Sequence, residues 1–176
     1  MTYVSEIAEE QASPELKLLY QQARERFGFL PNYFRAQGRL PKAIAGQLSL
    51  AEAILADGAL SPTQKEQIGI VVSGINTSSY CVAIHLELLR AMGIEKSLGR
   101  KLATDYPHAA VDEKLKVLFR FADKLTRMPA EIDETDVGEV RKAGWDDAAL
   151  QETVLIVAWF NFINRVSMGL GLVADF

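Results

Sequence analysis

Residues 61–92 read SPTQKEQIGIVVSGINTSSYCVAIHLELLRAM, and this stretch decides the fold. Ser61-Pro62-Thr63-Gln64 is a capping box with proline at the first helical position, so it predicts a helix that runs to about Ile75. Asn76-Thr77-Ser78 supplies turn and cap residues, and a second helix is expected from there to about Met92. The stretch therefore predicts two helices joined by a tight turn.

Helical signals continue on both sides of this pair, and we find no strand pattern in the sequence. The last helix, residues 147–168, is apolar on nearly all sides, so it must be covered by the core or by another subunit. The stretch KSLGRKLATDY at residues 96–106 is expected to be a short connecting segment. We predict an all-α bundle that forms a single domain over residues 1–176, with additional helices at residues 14–27, 32–37, 41–56, 111–128 and 135–143.

The composition argues against several classes of protein. The 176 residues are 49% hydrophobic and 24% charged, as in a globular domain. The net charge is −4 and no basic patch is present, so we expect no nucleic-acid partner. No secretory signal and no run long enough to span a bilayer is found, which indicates a cytoplasmic protein without a membrane partner. One cysteine and two histidines favour neither a disulfide nor a metal site, and we expect no cofactor.

The polar residues of the second helix fall on one of its faces. Because each helical residue turns about 100°, Ser78, Cys81 and His85 lie within roughly 60° of one another, inside the apolar face. Cys81 is in the first turn, where free N–H groups and the helix dipole favour a thiolate, and His85 one turn later can hold its proton. Together these features are typical of an activated thiol. Tyr80, beside Cys81, is a candidate for substrate binding through its hydroxyl, with a packing role as the alternative.

Glu66 on the first helix is a candidate third member of this site. It lies on the side that carries Gly69 and Ser73, small residues that allow another helix to approach closely. A carboxylate there can accept the second ring N–H of His85 and fix its tautomer. The residues alone leave two interpretations open: a Glu–His–Cys relay, or a small core cysteine beside a satisfied core histidine and a surface glutamate.

The spacing of these residues resembles that of the AhpD-like, or carboxymuconolactone decarboxylase-like, superfamily, whose signature is Glu-x11-Cys-x2-Cys-x3-His. In this chain the pattern is Glu66-x11-Ser78-x2-Cys81-x3-His85. Three further stretches are similar to its peroxidase-related, alkylhydroperoxidase-like subgroup: GFLPNYFRA at residues 28–36, LSPTQKEQIGIVVSGIN at 60–76 and FNFINRVSMGLGL at 160–172.

The resemblance covers roughly residues 13 to 173 and implies an AhpD-like helical bundle, with residues 61–92 as its core motif. It also implies a homo-oligomer (dimer, trimer or hexamer) and an antioxidant oxidoreductase that acts on small hydroperoxides. By the same resemblance, Cys81 matches the cysteine that attacks the hydroperoxide, and His85 and Glu66 match the proton relay. The reductant is expected to be an external thiol or a lipoyl-type partner.

Ser78 departs from the family pattern, because it stands where the family has its first cysteine. A serine can hydrogen-bond the sulfur of Cys81 or hold a water, but it cannot form the disulfide of the two-cysteine cycle. The alternative function is therefore a non-redox enzyme similar to carboxymuconolactone decarboxylase, or a small-molecule-binding oligomer. For that alternative, Arg165 is a conceivable anchor for a substrate carboxylate, although an arginine late in a helix is more often explained by the helix dipole and surface pairing.

Overall fold

The computed structural model describes residues 2–175, and within that range every regular element is helical. The all-α prediction is confirmed. Three short 3₁₀ turns occupy Glu9–Gln11, Tyr106–His108 and Pro129–Glu131. The α-helices are α1 (Pro14–Phe27), α2 (Asn32–Ala36), α3 (Pro41–Leu55), α4 (Pro62–Ile75), α5 (Ser79–Ala91), α6 (Lys96–Asp105), α7 (Glu113–Arg127), α8 (Glu134–Lys142) and α9 (Asp147–Gly169).

The helix boundaries follow the capping signals of the sequence. At α4, Ser61 Oγ accepts from the backbone N–H of Gln64, and the Gln64 side chain accepts from the N–H of Ser61, which completes the capping box. At α1, Ser13 is the cap, and Gly28 ends the helix with a left-handed φ of 78°. Residues 96–106, expected only as a short segment that leads to Pro107, are mostly the helix α6.

Helix α4 is the centre of the bundle and packs against α5, α6, α7 and α9. Residues 65–73 are all buried, so both sides of this helix are covered. Two glycines permit the close approach that this requires: a Cβ at Gly69 would lie 2.0 Å from the Phe160 ring, and one at Gly74 would lie 1.9 Å from the Ala103 carbonyl oxygen. The side of α4 that carries Glu66 is therefore packed and not solvated.

A tight turn joins α4 to α5 and sets the two helices side by side. Thr77 adopts a left-handed φ of 55°, and the N–H of Ser78 donates to the Ser73 carbonyl at 3.0 Å. Ser78 occupies the N-cap position of α5, but its side chain makes no capping hydrogen bond. Ser78 is thus the cap residue by position, and its hydroxyl bonds Ser167 instead.

Helix α9 is only partly covered. One side enters the core through Ile156, Val157 and Phe160. The other side is an exposed apolar stripe that consists of Val154, Leu155, Phe162 and Met168. Each of these residues is between 38% and 45% exposed. The expectation that all sides of this helix are covered is therefore not met by the single chain. Across residues 2–175, no helix is long and apolar enough to cross a bilayer.

Candidate active site

Glu66 on α4 and His85 on α5 form a buried pair. His85 Nδ1 lies 2.6 Å from Glu66 Oε2, and the two side chains are 8% and 6% exposed. The ring of Phe160 packs on the imidazole, with 4.6 Å between the ring centroids. Since Phe160 occupies the space left by Gly69, the glycine, the aromatic ring and the histidine form one packed column.

This contact decides the tautomer of His85. A carboxylate can only accept, so Nδ1 carries the proton that it donates to Glu66, and the neutral ring has its lone pair on Nε2. Among the described residues Nε2 has no hydrogen-bond partner. Within residues 2–175, the only buried side-chain nitrogen or oxygen without a hydrogen-bond partner is Asn32 Oδ1. Because His85 Nε2 has no partner either, it must be partly accessible. Nε2 is therefore the ring nitrogen of His85 that is not used in binding Glu66.

Cys81 lies one turn before His85 and is 3% exposed. Its hydrogen-bond partner is a residue of α9: Sγ lies 3.3 Å from Ser167 Oγ. Ser78 is one hydrogen bond further from the sulfur, because its Oγ lies 3.2 Å from the same Ser167 oxygen. The expectation that Ser78 bonds the sulfur directly is corrected, because Ser167 stands between the two side chains.

The single proton of Ser167 links these contacts to the state of the thiol. Ser167 Oγ lies 2.9 Å from the Asn164 carbonyl oxygen, which can only accept. While that bond is made, Ser167 accepts from Ser78 and from the Cys81 S–H, so the sulfur is a neutral thiol. A thiolate at Cys81 instead accepts from Ser167, which then leaves the Asn164 carbonyl. Ser167 can serve both states by rotation of one hydroxyl.

A buried amide network holds Ser167 in place. Asn164 Nδ2 donates to Ser73 Oγ at 3.1 Å, and Asn76 Nδ2 donates to Asn164 Oδ1 at 2.9 Å. Asn76 also donates to Asn161 Oδ1 at 2.9 Å. These bonds tie α9 to the end of α4 and to the turn before α5, which is why a serine on α9 meets a cysteine on α5.

Glu66, Cys81 and His85 line one cavity of about 300 Å³. The cavity is enclosed by helices α2 to α5, α9 and the end of α1, and it reaches the surface beside the exposed side chains of Arg26 and Met92. Its walls are largely apolar or aromatic and include Phe27, Phe34, Leu48, Leu55, Ile84, Leu88, Trp159 and Ile163. The three candidate catalytic side chains therefore share an enclosed space that a small molecule can enter.

Comparisons with known proteins bear on the family and on the fold. Residues 41–97 match the model of the carboxymuconolactone decarboxylase family. The chain is 27% identical to an uncharacterized peroxidase-related protein from Silicibacter sp. TM1040, with 99% of this chain and 95% of that chain covered and a TM-score of 0.87. No curated protein matches the sequence.

The resemblance to the AhpD-like, carboxymuconolactone decarboxylase-like superfamily is supported by the family match over residues 41–97 and by structural neighbours of the same fold. An uncharacterized peroxidase-related protein from Ralstonia eutropha JMP134, described as an alkylhydroperoxidase AhpD core, shares the fold at 22% identity and a TM-score of 0.92, over 99% of this chain and 92% of that chain. The debrominase Bmp8, in a cysteine-to-alanine variant bound to 2,3,4-tribromopyrrole, shares it at 20% identity and a TM-score of 0.85, over 99% and 92%.

Two tyrosines border the candidate site as neutral phenols. Burial raises the pKa of Tyr33, and burial together with the Asp175 carboxylate raises the pKa of Tyr80. Tyr80 lines the cavity, but its hydroxyl donates to Asp175 Oδ2 at 3.0 Å. Tyr33 also lines the cavity and donates to Gln47 Oε1 at 2.7 Å. The Tyr80 hydroxyl is thus bonded to the C-terminal segment, and its role in substrate binding stays a prediction.

Other candidates from the sequence lie away from this candidate site. Arg165 is exposed, bonds Asn161 on its own helix and does not line the cavity, so it is not placed to anchor a substrate there. Within residues 2–175, no group of three or more histidine, cysteine, aspartate and glutamate residues is arranged to hold a metal ion.

Ser167 is the site residue that the sequence did not reveal. The sequence signal for Ser167 was weak, because it is a single serine in an apolar helix and lies 86 residues from the cysteine that it contacts.

Proposed function

We propose that this protein is a thiol-dependent hydroperoxide reductase in which Cys81 is the nucleophile. The observation that carries the proposal is the convergence of Glu66, His85 and Cys81 on one cavity that reaches the surface. The Glu66–His85 contact of 2.6 Å leaves Nε2 free to take the thiol proton. The apolar walls favour an organic hydroperoxide over a strongly hydrated substrate.

The first step transfers one oxygen atom to sulfur. His85 Nε2 accepts the proton of Cys81, and the thiolate attacks the terminal oxygen of the hydroperoxide ROOH. The O–O bond breaks, an S–O bond forms and the alkoxide RO⁻ takes a proton from His85, which gives the alcohol ROH. Sulfur is oxidised to sulfenic acid and the peroxide is reduced, while Glu66 stabilises the imidazolium that forms in between.

Ser167 and Ser78 assist this step by hydrogen bonding. Ser167 turns its proton to the sulfur when the thiolate forms, and Ser78 donates to the Ser167 oxygen throughout. Neither serine can form a disulfide, and Cys81 is the only cysteine of the chain. Two equivalents of an external thiol therefore complete the cycle. The first condenses with the sulfenic acid and releases water, and the second releases the Cys81 thiol and a disulfide.

The direct test combines turnover with trapping of the intermediate. Consumption of tert-butyl hydroperoxide is followed in the presence of excess dithiothreitol, and the sulfenic acid at Cys81 is trapped with dimedone and located by mass spectrometry. We expect catalytic consumption and a dimedone adduct on Cys81, both lost in Cys81→Ala. Wild-type protein that shows neither consumption nor adduct would falsify the proposal.

The alternative from the sequence is a non-redox enzyme similar to carboxymuconolactone decarboxylase, or a small-molecule-binding oligomer. The match of residues 41–97 to the carboxymuconolactone decarboxylase family supports this alternative. The two functions are separated by one variant, because Cys81→Ala abolishes a peroxidase and leaves lactone processing or ligand binding largely intact.

A second redox candidate is reductive removal of bromine from an aromatic ring. A solved neighbour is described as a debrominase, and Phe27, Phe34 and Trp159 give this cavity aromatic walls that suit a flat ring. In that reaction the thiolate attacks bromine to form a sulfenyl bromide, and the ring takes a proton from His85. One external thiol then displaces bromide and forms a mixed disulfide with Cys81, and a second external thiol releases the Cys81 thiol and a disulfide. Bromide release from 2,3,4-tribromopyrrole with dithiothreitol, compared with hydroperoxide consumption, decides which electrophile is preferred.

We also propose that the chain forms a homo-oligomer through α9. The stripe of Val154, Leu155, Phe162 and Met168 is apolar and exposed on one side of a long helix. Trp159 stacks on Phe162, with 5.7 Å between the ring centroids, so the stripe is continuous with the wall of the cavity. A second copy of the same helix offers a complementary apolar surface.

A further inference from the structure

The cavity is elongated along α5. Its lining residues on that helix extend from Tyr80 to Met92, with Cys81, Ile84, His85 and Leu88 between them. At a rise of 1.5 Å per residue, this range spans about 18 Å. On α3 the lining residues run from Gln47 to Leu55. The space is therefore a channel beside α5, with Cys81 near one end and the exposed Met92 at the other.

Charge is distributed unevenly along this channel. The ionisable and strongly polar groups Glu66, Cys81 and His85 belong to the reactive part, and the surrounding walls are mostly apolar. Among the described residues that line the channel, Arg26 is the only lysine or arginine. It lies at the end of α1 and is exposed, so its charge stands at the opening.

Most N–H donors of the Arg26 guanidinium have no partner within residues 2–175. Its Nη2 donates to the Ala51 carbonyl at a long 3.4 Å, and its guanidinium lies 5.9 Å from the centroid of the Phe27 ring. No ion pair within residues 2–175 involves Arg26, whereas its neighbour Arg24 is paired with Glu9 at 2.7 Å. A guanidinium has five N–H donors in a fork that fits a carboxylate, so most of its capacity is free for a ligand.

We propose that the channel binds a straight-chain monocarboxylate, with the carboxylate on Arg26 and the apolar chain along α5 towards Cys81. The chain fits the apolar walls, and the charge complementarity at the opening fixes its direction. For the redox cycle this defines the substrate as a hydroperoxide that also bears a carboxylate. That reactive end rests on the proposed function, whereas recognition of the carboxylate does not.

The test measures binding without chemistry. The Cys81→Ser variant is titrated with decanoate and with 1-decanol, a neutral ligand of the same length, and binding is read from the fluorescence of Trp159 in the channel wall. Trp145 is replaced by Phe to remove its background, since it lies on Lys114 and does not line the channel. We expect decanoate to bind about tenfold more tightly than 1-decanol, as one charge-assisted contact provides.

Arg26→Gln is expected to remove this preference, and Arg24→Gln is the matched control that keeps it. The proposal is overturned if neither ligand binds, if 1-decanol binds as tightly as decanoate, or if the two arginine variants behave alike. Consumption of tert-butyl hydroperoxide, which is short and uncharged, is measured separately on the wild-type protein. Turnover without carboxylate preference rejects the ligand class alone, and carboxylate preference without turnover rejects the redox function alone.

Discussion

Ser167 Oγ lies 3.3 Å from Cys81 Sγ, although the two residues belong to different helices and stand 86 positions apart. The same oxygen lies 2.9 Å from the Asn164 carbonyl and 3.2 Å from Ser78 Oγ. One hydroxyl proton therefore has two competing acceptors when Cys81 is ionised. The ionisation of the sulfur is coupled to the orientation of a single buried serine.

Replacement of Ser167 by Ala is expected to slow the alkylation of Cys81. The variant loses the hydroxyl that donates to the thiolate, so the reactive form of the sulfur is less stabilised. We expect the iodoacetamide rate at neutral pH to fall by about tenfold, the effect of one hydrogen bond to a charged group. Ser78→Ala is the control and should give a smaller decrease, since Ser78 acts only through Ser167. Equal decreases in both variants would contradict this arrangement.

Replacement of Glu66 by Gln should slow the reaction while leaving the fold intact. The amide cannot stabilise an imidazolium as a carboxylate does, and it can reverse the tautomer of His85 by donating to Nδ1. We expect the rate of sulfenic acid formation to fall by about 10- to 100-fold. Glu52→Gln is the control, because Glu52 is exposed on α3 and does not line the cavity. A rate that is unchanged in Glu66→Gln would remove Glu66 from the relay.

Replacement of Gly69 by Ala is expected to destabilise the protein by about 2–3 kcal/mol. The new Cβ would come 2.0 Å from the Phe160 ring, which itself packs on His85. Urea unfolding measures the loss, and the double variant with Phe160→Leu should recover part of it. Gly46→Ala on α3 is the control: its Cβ meets nothing within 4 Å, so the change should be neutral or stabilising. Similar losses at both glycines would refute the packing explanation.

The stability of the protein should depend on pH through Glu152. Burial opposes ionisation of this carboxyl, but donation from Leu60 N–H, Lys65 and Ala59 N–H outweighs it, and the pKa of Glu152 is lowered from its usual 4.5. The folded state is therefore stabilised above pH 4.5, and this stabilisation is lost as the pH falls through the lower folded-state pKa.

Glu152→Gln tests this pH dependence. At neutral pH the variant should be less stable by about 2–3 kcal/mol, because Lys65 is 2% exposed and loses its carboxylate partner. The difference in unfolding free energy from the wild-type protein should shrink as the pH falls below 4.5. Urea unfolding at several pH values measures it, and a difference that does not change with pH would contradict the assignment.

A charge in the apolar stripe of α9 should dissociate the proposed oligomer. We expect the wild-type protein to have a molar mass that is a multiple of 19.5 kDa in light scattering. Phe162→Glu should reduce it, since burial of the new carboxylate is costly. Leu18→Glu is the control, because Leu18 is an exposed leucine on α1 and not part of the stripe. A wild-type monomer would reject the oligomer.

The sequence predicted what depends on local chemistry. Capping residues placed the helices, and the spacing of Cys81 and His85 on one helix placed their side chains together. The contact of Glu66 with His85 was anticipated because small neighbours on α4 indicated close packing on that side. Its catalytic role and those of the other site residues stay predictions.

Contacts between distant segments could not be predicted in the same way. Ser167 gives no signal of its own, because one serine in an apolar helix is compatible with many surroundings, and only the packing of α9 on the α4–α5 turn brings it to Cys81. Ser78 was expected to bond the sulfur since it is near in sequence, but its hydroxyl reaches Ser167 instead. Arg26 was passed over because nothing local links the end of α1 to the channel.

The enclosed position of Cys81, with 3% of the residue exposed, also limits what the oxidised protein can do. A sulfenic acid at this depth is out of reach of cysteines on the surface of other folded proteins. Mixed disulfides between whole proteins are therefore sterically blocked, and only slender thiols or a flexible dithiol arm can enter to reduce the sulfur. Oxidative stress should leave this protein without covalent cross-links to its neighbours.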